Sequence, residues 1–226
     1  AELNHRSGNL EKALALYGAY FKAVPSPDAS PLAVEAEFRQ TLQLYISLLR
    51  DQGKAEKVRE MVRVLTKLEG ATGREGKRAT QFLEVQVALD SQEKLEKPNK
   101  KAVQKALKTL DGLKFGGDLI AAKSYVQRVR ALVLLGKYDE AIKLVDKSKR
   151  YLAQFDTAMK RAGKPGESPL PGLFYYWAVA LKNKAVEAHE KKNDTKAQEY
   201  LLAALKRCRA VTVRYPDAET YVSKAT

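Results

Sequence analysis

Apolar residues recur along the chain at helical spacing and are interrupted by short polar or glycine-containing breaks. This pattern predicts amphipathic helices joined in antiparallel pairs. In residues 134–148, LLGKYDEAIKLVDKS, the break is at Gly136. Tyr125, Val129 and Leu132 share one helical face before it, and Tyr138, Ala141, Ile142 and Val145 share one after it. The same arrangement surrounds Gly53, with Leu42, Tyr45, Ile46 and Leu49 before the turn and Val58, Met61, Val62 and Leu65 after it. Gly8 opens a third copy, in which Leu10, Ala13, Leu14, Leu16, Tyr17 and Tyr20 line the helix and Pro25 ends it.

Elsewhere the period alone marks the elements. Phe82, Leu83, Val85, Val87 and Leu89 give a broad apolar face over 78–95, and Val103, Ala106, Leu107, Leu110 and Leu113 give a stripe after the turn at 97–101. Pro98 suits a helix start. The helix after Tyr138 is expected to run through Tyr151, Leu152 and Phe155 to Met159. Residues 163–172, GKPGESPLPG, hold three prolines and three glycines, which predicts a mobile loop between helix pairs. A helix over 173–191 follows, and after a turn at 192–194 comes one more, with Ala197, Leu201, Ala204, Leu205 and Cys208 on its expected packed side. The predicted pairs are thus about 1–24 (partial), 32–69, 77–114, 118–160 and 170–214, with a loop at 162–172 and a frayed tail at 217–226.

A glycine turn, an apolar or aromatic residue just after it, and a small residue where two helices pack closely together resemble the tetratricopeptide repeat. The small-residue positions are Ala13, Val58, Ala102 or a neighbour, Ala141 and Ala197. Their spacing, about 45, 44, 39 and 56 residues, exceeds the roughly 34 of that family, so the repeats are irregular. The turns at Gly8, Gly53 and Gly136 carry the resemblance best, that at Lys192 partly and that at Lys97 poorly. The resemblance implies an all-α, right-handed α-solenoid of about four and a half hairpins over nearly all of the chain.

In that family the first helix of each pair lines a concave face that holds partner peptides. The resemblance therefore implies a groove carrying Gln40, Gln43, Ser47 and Arg50, then Lys123, Gln127 and Arg130, then Lys182, Asn183 and His189. The arrangement departs from the chaperone-binding subfamily, which clamps a terminal carboxylate with paired Lys and Asn: Gln43 and Ser47 stand there in the hairpin that should start the clamp. These polar and cationic side chains imply an acidic or carboxylate-bearing ligand, against the plainer alternative of a solvated face.

Charge sharpens that expectation. The net charge is +14, from 41 Lys+Arg and 27 Asp+Glu. From Arg74 on there are 31 basic against 18 acidic residues, so the later two-thirds hold nearly all of the excess. Lys97, Lys100, Lys101, Lys105 and Lys108 form one cluster, Lys143, Lys147, Lys149 and Arg150 a second, and Lys206, Arg207, Arg209 and Arg214 a third. Lys101, Lys105 and Lys108 share a helical face that would follow a phosphate backbone, so a nucleic-acid-associated repeat protein is the alternative function. Against it, the aromatics fall mostly on packed stripes rather than beside the cations. The run Phe174, Tyr175, Tyr176 and Trp177 covers every direction of a helix, so one or two of these rings are expected to be exposed or to meet another chain or copy.

No catalytic constellation stands out, and a non-enzymatic protein with no cofactor is expected. Gly76-Lys77 does not complete a phosphate-binding loop: Ala71 replaces its first glycine and Arg78 its Ser/Thr. One cysteine, Cys208, beside His5 and His189 leaves little for a metal site, and HEKKN after His189 is not a zinc-protease motif. No apolar run reaches the roughly 18–20 residues of a membrane span. The composition, with 30% charged residues and a mean hydropathy of −0.42, suits a soluble protein of the cytoplasm or a bacterial periplasm. The polar start, running straight into a turn, is expected for a chain whose natural N-terminus lies upstream. The function expected is a scaffold that holds an acidic protein segment or another copy of itself.

Overall fold

The structure, a computed structural model, describes residues 1, 3–4, 7–23, 36–69 and 74–226, without side-chain surroundings at 36, 37, 51, 55, 69, 74–76 and 219. Pro25, expected to end the first helix, together with Ala71 and His5, lies outside the described residues. The described residues are all-helical. In chain order the helices are α1 (Leu10–Ala23), α2 (Ala36–Asp51), α3 (Ala55–Glu69), α4 (Arg74–Glu93), α5 (Lys100–Leu113), α6 (Leu119–Leu134), α7 (Tyr138–Arg161), α8 (Leu170–Glu190), α9 (Asp194–Arg214) and α10 (Glu219–Ala225). A 3₁₀ turn, Pro165–Glu167, precedes α8. The chain divides into two compact units, 1–87 and 88–226, with the division inside α4.

Four helices end in the same way. The N–H groups of Gly53, Gly136, Gly163 and Lys192 donate to Arg50, Val133, Lys160 and His189 at 2.9, 3.0, 3.1 and 2.8 Å. The next N–H in each case reaches back five residues, to Leu49, Leu132, Met159 and Ala188, at 2.9 Å. This Schellman closure takes up carbonyls that a helix end otherwise leaves unpaired, and it needs a left-handed residue. The φ values are 69°, 72°, 70° and, at Lys192, 59°. Three of the four sites hold glycine, which has no Cβ to clash there. The following helices start on side-chain caps where Asn or Asp is present. Asp118 Oδ1 accepts from the Ala121 N–H at 2.7 Å, and Asn99 and Asn193 do the same for Ala102 and Lys196 at 3.2 Å. Asn99, rather than Pro98, therefore opens α5.

In the first unit, α1 packs on α2 and α2 on α3. Ala13, Tyr17 and Phe21 meet Phe38, Leu42, Tyr45 and Ile46, while Val58, Met61, Val62 and Leu65 close the core from α3. Phe21 and Tyr45 are stacked with ring centroids 5.3 Å apart, and Phe38 meets Phe21 edge-on at 5.6 Å. Aromatic pairs of this kind add about 0.5–1.5 kcal/mol beyond their buried area.

In the second unit α6 is central, packing on α5, α7 and α8, while α8 packs on α7, α9 and α10. Ala122, Val126 and Val129 of α6 meet Ala141, Val145 and Leu152 of α7 and Leu173, Tyr176 and Ala180 of α8. Truncating one of the fully buried leucines here would cost about 2–5 kcal/mol.

Three expectations are corrected in this unit. Residues 163–172 are not a free loop. Ser168, Pro169 and everything from Leu170 to Leu173 are buried, and α8 already begins at Leu170. The Ser168 hydroxyl donates to Asp156 Oδ1 at 2.6 Å and its oxygen accepts from the Leu170 N–H, so the segment is fastened to α7.

The tail is not frayed either. Ala218 is buried, α10 forms, and Tyr221 lies across Tyr175 and Tyr176 at 6.0 and 6.2 Å. A Cβ at Gly172 would sit 2.8 Å from the Tyr221 ring and 2.9 Å from Val126, so the absence of a side chain there makes room for α10.

Finally, α9 turns a different face inward. Ala197, Ala204 and Val211 are buried, seven residues apart, but Leu201 and Leu205 are 46% and 64% exposed. Small side chains let α9 lie close against α8 through that stripe, and this leaves the leucines outside.

Candidate functional site

The residues assigned to a groove fall in both units and have different surroundings. In the first unit Gln40 is exposed, while Gln43, Ser47 and Arg50 are half-buried, and Arg50 Nη1 donates to Gln86 Oε1 at 3.2 Å. In the second unit Lys123 is half-buried, whereas Gln127 and Arg130 are only 4% and 3% exposed. Lys182 and His189 are exposed. Asn183 is half-buried, with its amide donating to the Val179 carbonyl at 2.8 Å, and His189 Nδ1 lies 2.8 Å from Asp194 Oδ1.

Arg130 is the centre of a buried polar cluster. Its Nη1 donates to Asp90 Oδ1 at 2.7 Å and to Gln127 Oε1 at 3.3 Å, and its Nη2 to Glu93 Oε2. Glu93 also accepts from the Tyr176 hydroxyl at 3.3 Å and from Lys224 Nζ at 3.2 Å. The guanidinium stands 5.6 Å from the Tyr176 ring centre. Burial works against the charge of Arg130, yet Tyr176, Glu93 and Asp90 hold it more firmly protonated than usual. Burial pushes the Tyr176 phenol well up, so it stays a neutral donor. Two cations and two carboxylates balance here. An incoming carboxylate at Arg130 would compete with two that are already bound, which makes this guanidinium a structural tie rather than a ligand clamp.

Asp90, Glu93, Tyr221 and Lys224 were not singled out from the sequence. A weak signal exists: Asp90 and Glu93 continue the apolar stripe of α4 at helical spacing, and Tyr221 and Lys224 are three apart on α10. Partner choice, however, depends on elements distant in sequence.

The aromatic run is covered by the chain itself. Tyr176 and Trp177 are 3% and 9% exposed, Phe174 faces Tyr215 at 6.2 Å, and Tyr175 lies under Tyr221 and Lys224. Arg207 stacks 3.8 Å from the Trp177 ring centre, with Lys149 on the same ring at 5.8 Å. The contact aromatics Tyr175, Tyr176 and Trp177 are therefore packing groups, brought under cover by α10 and by cations of α7 and α9.

The basic clusters behave differently. Lys101, Lys105 and Lys108 on α5 and Lys143, Lys147 and Arg150 on α7 are all exposed, and among the described residues none forms a salt bridge. By contrast Lys149 pairs with Asp146 at 2.8 Å, and Lys184 pairs with Asp139 and Glu187 at 3.0 and 2.8 Å. A shallow cleft of about 200 Å³ opens by the α8–α9 turn beside Lys184, Glu187, Lys191, Lys196 and Tyr200. Among the described residues no group of three or more His, Cys, Asp or Glu is placed to hold a metal ion. No helix there is long and apolar enough to cross a membrane.

Comparison with protein-family models, with curated proteins and with solved structures returns no match for this chain.

Proposed function

We propose that the chain is a non-catalytic interaction scaffold of irregular tetratricopeptide-like helix pairs forming a right-handed α-solenoid, and that it binds an acidic protein segment through its cationic surface. The observation that carries this reading is the set of six exposed cations on α5 and α7 that form no salt bridge among the described residues, within a unit holding 28 Lys+Arg against 16 Asp+Glu from residue 88 on. Unneutralised charge of one sign raises the local concentration of oppositely charged partners and speeds their association. The repeated Schellman turns and the contact of α6 with α8 as well as with α7 agree with stacked hairpins.

A second reading, nucleic-acid association, draws on the same cations and on Phe115, which is 69% exposed beside Lys114. Self-association is the third, and like charge on both copies works against it unless an apolar contact offsets the repulsion.

The test is a pull-down with the purified chain at low and moderate salt, with and without nuclease, repeated with K143E/K147E/R150E. Recovery of a discrete acidic protein that survives nuclease and is lost in the variant supports the scaffold. Recovery of only salt-labile nucleic acid, with a log–log salt slope near about −5 for six phosphate contacts, overturns it.

A further inference from the structure

Helix α9 is amphipathic twice over. Its buried stripe of Ala197, Ala204 and Val211 faces the unit's interior, and a second apolar stripe faces outward. Leu201, Leu202 and Leu205 are 46%, 60% and 64% exposed. These three large aliphatic side chains form an apolar strip on adjacent turns of the helix, open to water.

The surroundings of the patch indicate what covers it. Lys206 and Arg209 follow on the same exposed face of α9, one and four residues after Leu205, and neither forms a salt bridge among the described residues. The exposed Glu199 lies one turn before Leu202 on the same face, so the patch is apolar at its centre and carries two cations against one carboxylate at its rim. Phosphate backbones have no use for the leucines, and a second copy of this chain would set the same cations against one another.

We propose that this face of α9 docks an amphipathic helix of a partner protein, with apolar residues at i, i+3 and i+7 seated on Leu201, Leu202 and Leu205 and acidic residues beside them facing Lys206 and Arg209. The proposal rests on the acidic-partner reading above and gives that partner a second anchor on α9, beside the α5 and α7 cations.

The experiment uses the full chain at 150 mM salt and a fluorescein-labelled 18-residue peptide with Leu at i, i+3 and i+7 and Glu at its flanking positions, followed by anisotropy. The control peptide carries Gln for every Leu. Binding of the Leu peptide, about tenfold or more weaker for the control and for L202S/L205S, and weaker again at raised salt for K206E/R209E, is the expected result. These side chains are exposed, so the variants keep the fold, which circular dichroism verifies. Equal binding of both peptides, unchanged by L202S/L205S but lost in K143E/K147E/R150E, overturns the α9 site while leaving the acidic-partner reading intact. Absence of binding by either peptide overturns both. A concentration-dependent dimer in sedimentation that L202S/L205S abolishes assigns the face to a second copy and also overturns the proposal.

Discussion

Lys224, near the end of the chain, places its ammonium 3.2 Å from the carboxylate of Glu93, at the end of α4 and 131 residues earlier. Glu93 is held from the other side by Arg130. One carboxylate thus binds two cations, one of them 3% exposed and the other at the surface. The two should differ widely in energetic weight. Arg130→Ala leaves Asp90 and Glu93 facing each other without their buried counter-charge and should cost about 3 kcal/mol in urea unfolding. Lys224→Ala should cost less than about 1 kcal/mol, with its effect confined to faster amide exchange over 219–225.

Gly172 should be intolerant of even a methyl group. With Tyr221 and Val126 both inside 3 Å of a built Cβ, Gly172→Ala should push α10 off α8. Helix propensity alone favours alanine, so a loss of stability here isolates the steric effect. Removing the ring in Gly172→Ala/Tyr221→Ala should restore much of what the single change loses relative to Tyr221→Ala. A double-mutant cycle by thermal unfolding measures this coupling.

Lys192 adopts φ 59° where the equivalent turns have glycine. Lys192→Gly should stabilise the chain by about 1 kcal/mol, because the left-handed conformation penalises a Cβ. Gly136→Ala should destabilise by a similar amount. Nothing lies within 4 Å of a Cβ built at Gly136, so the penalty is conformational rather than steric. Chemical denaturation of both variants checks the sign.

Alkaline pH should weaken the second unit. Burial and then Asp156 push the Tyr215 phenol up to about 12, and burial also raises Tyr175 and Tyr176. The folded state thus holds these protons more tightly than the unfolded chain, whose tyrosines titrate near 10. Stability from this source is complete below about pH 10 and is lost as the pH rises towards about 12. Unfolding free energies at pH 8 to 11.5, with Tyr215→Phe as comparison, should show a fall above pH 10 that is shallower in the variant.

The helical class was legible because apolar residues keep a 3.6 period over long stretches, and the turns at Gly53 and Gly136 were legible because their closure demands a residue tolerant of positive φ. Lys192 gave only a partial signal, since a lysine occupies the same conformation without announcing it. The proline-rich stretch at 163–172 misled because proline is as much at home in the first turn of a helix as in a loop, and Leu170, Pro171 and Gly172 begin α8. The tail misled because position near a terminus says nothing about burial, which here depends on Gly172 and Tyr176. Arg130 looked like a ligand-binding side chain because its counter-charges on α4 are about 40 positions away, and a single sequence does not pair them. Leu201 and Leu205 looked internal because α9 has two apolar stripes, and periodicity does not say which one faces the unit's interior.

Trp177 is the chain's one tryptophan, lying under Arg207 in the second unit. Intrinsic indole emission is consequently a reporter placed within residues 88–226. Far-ultraviolet ellipticity averages over both units. Superposed melting curves from these two signals would mean that the units, each with its own aromatic or aliphatic core, come apart in one cooperative event. A lag between them would time the melting of one unit against that of the other, without any label.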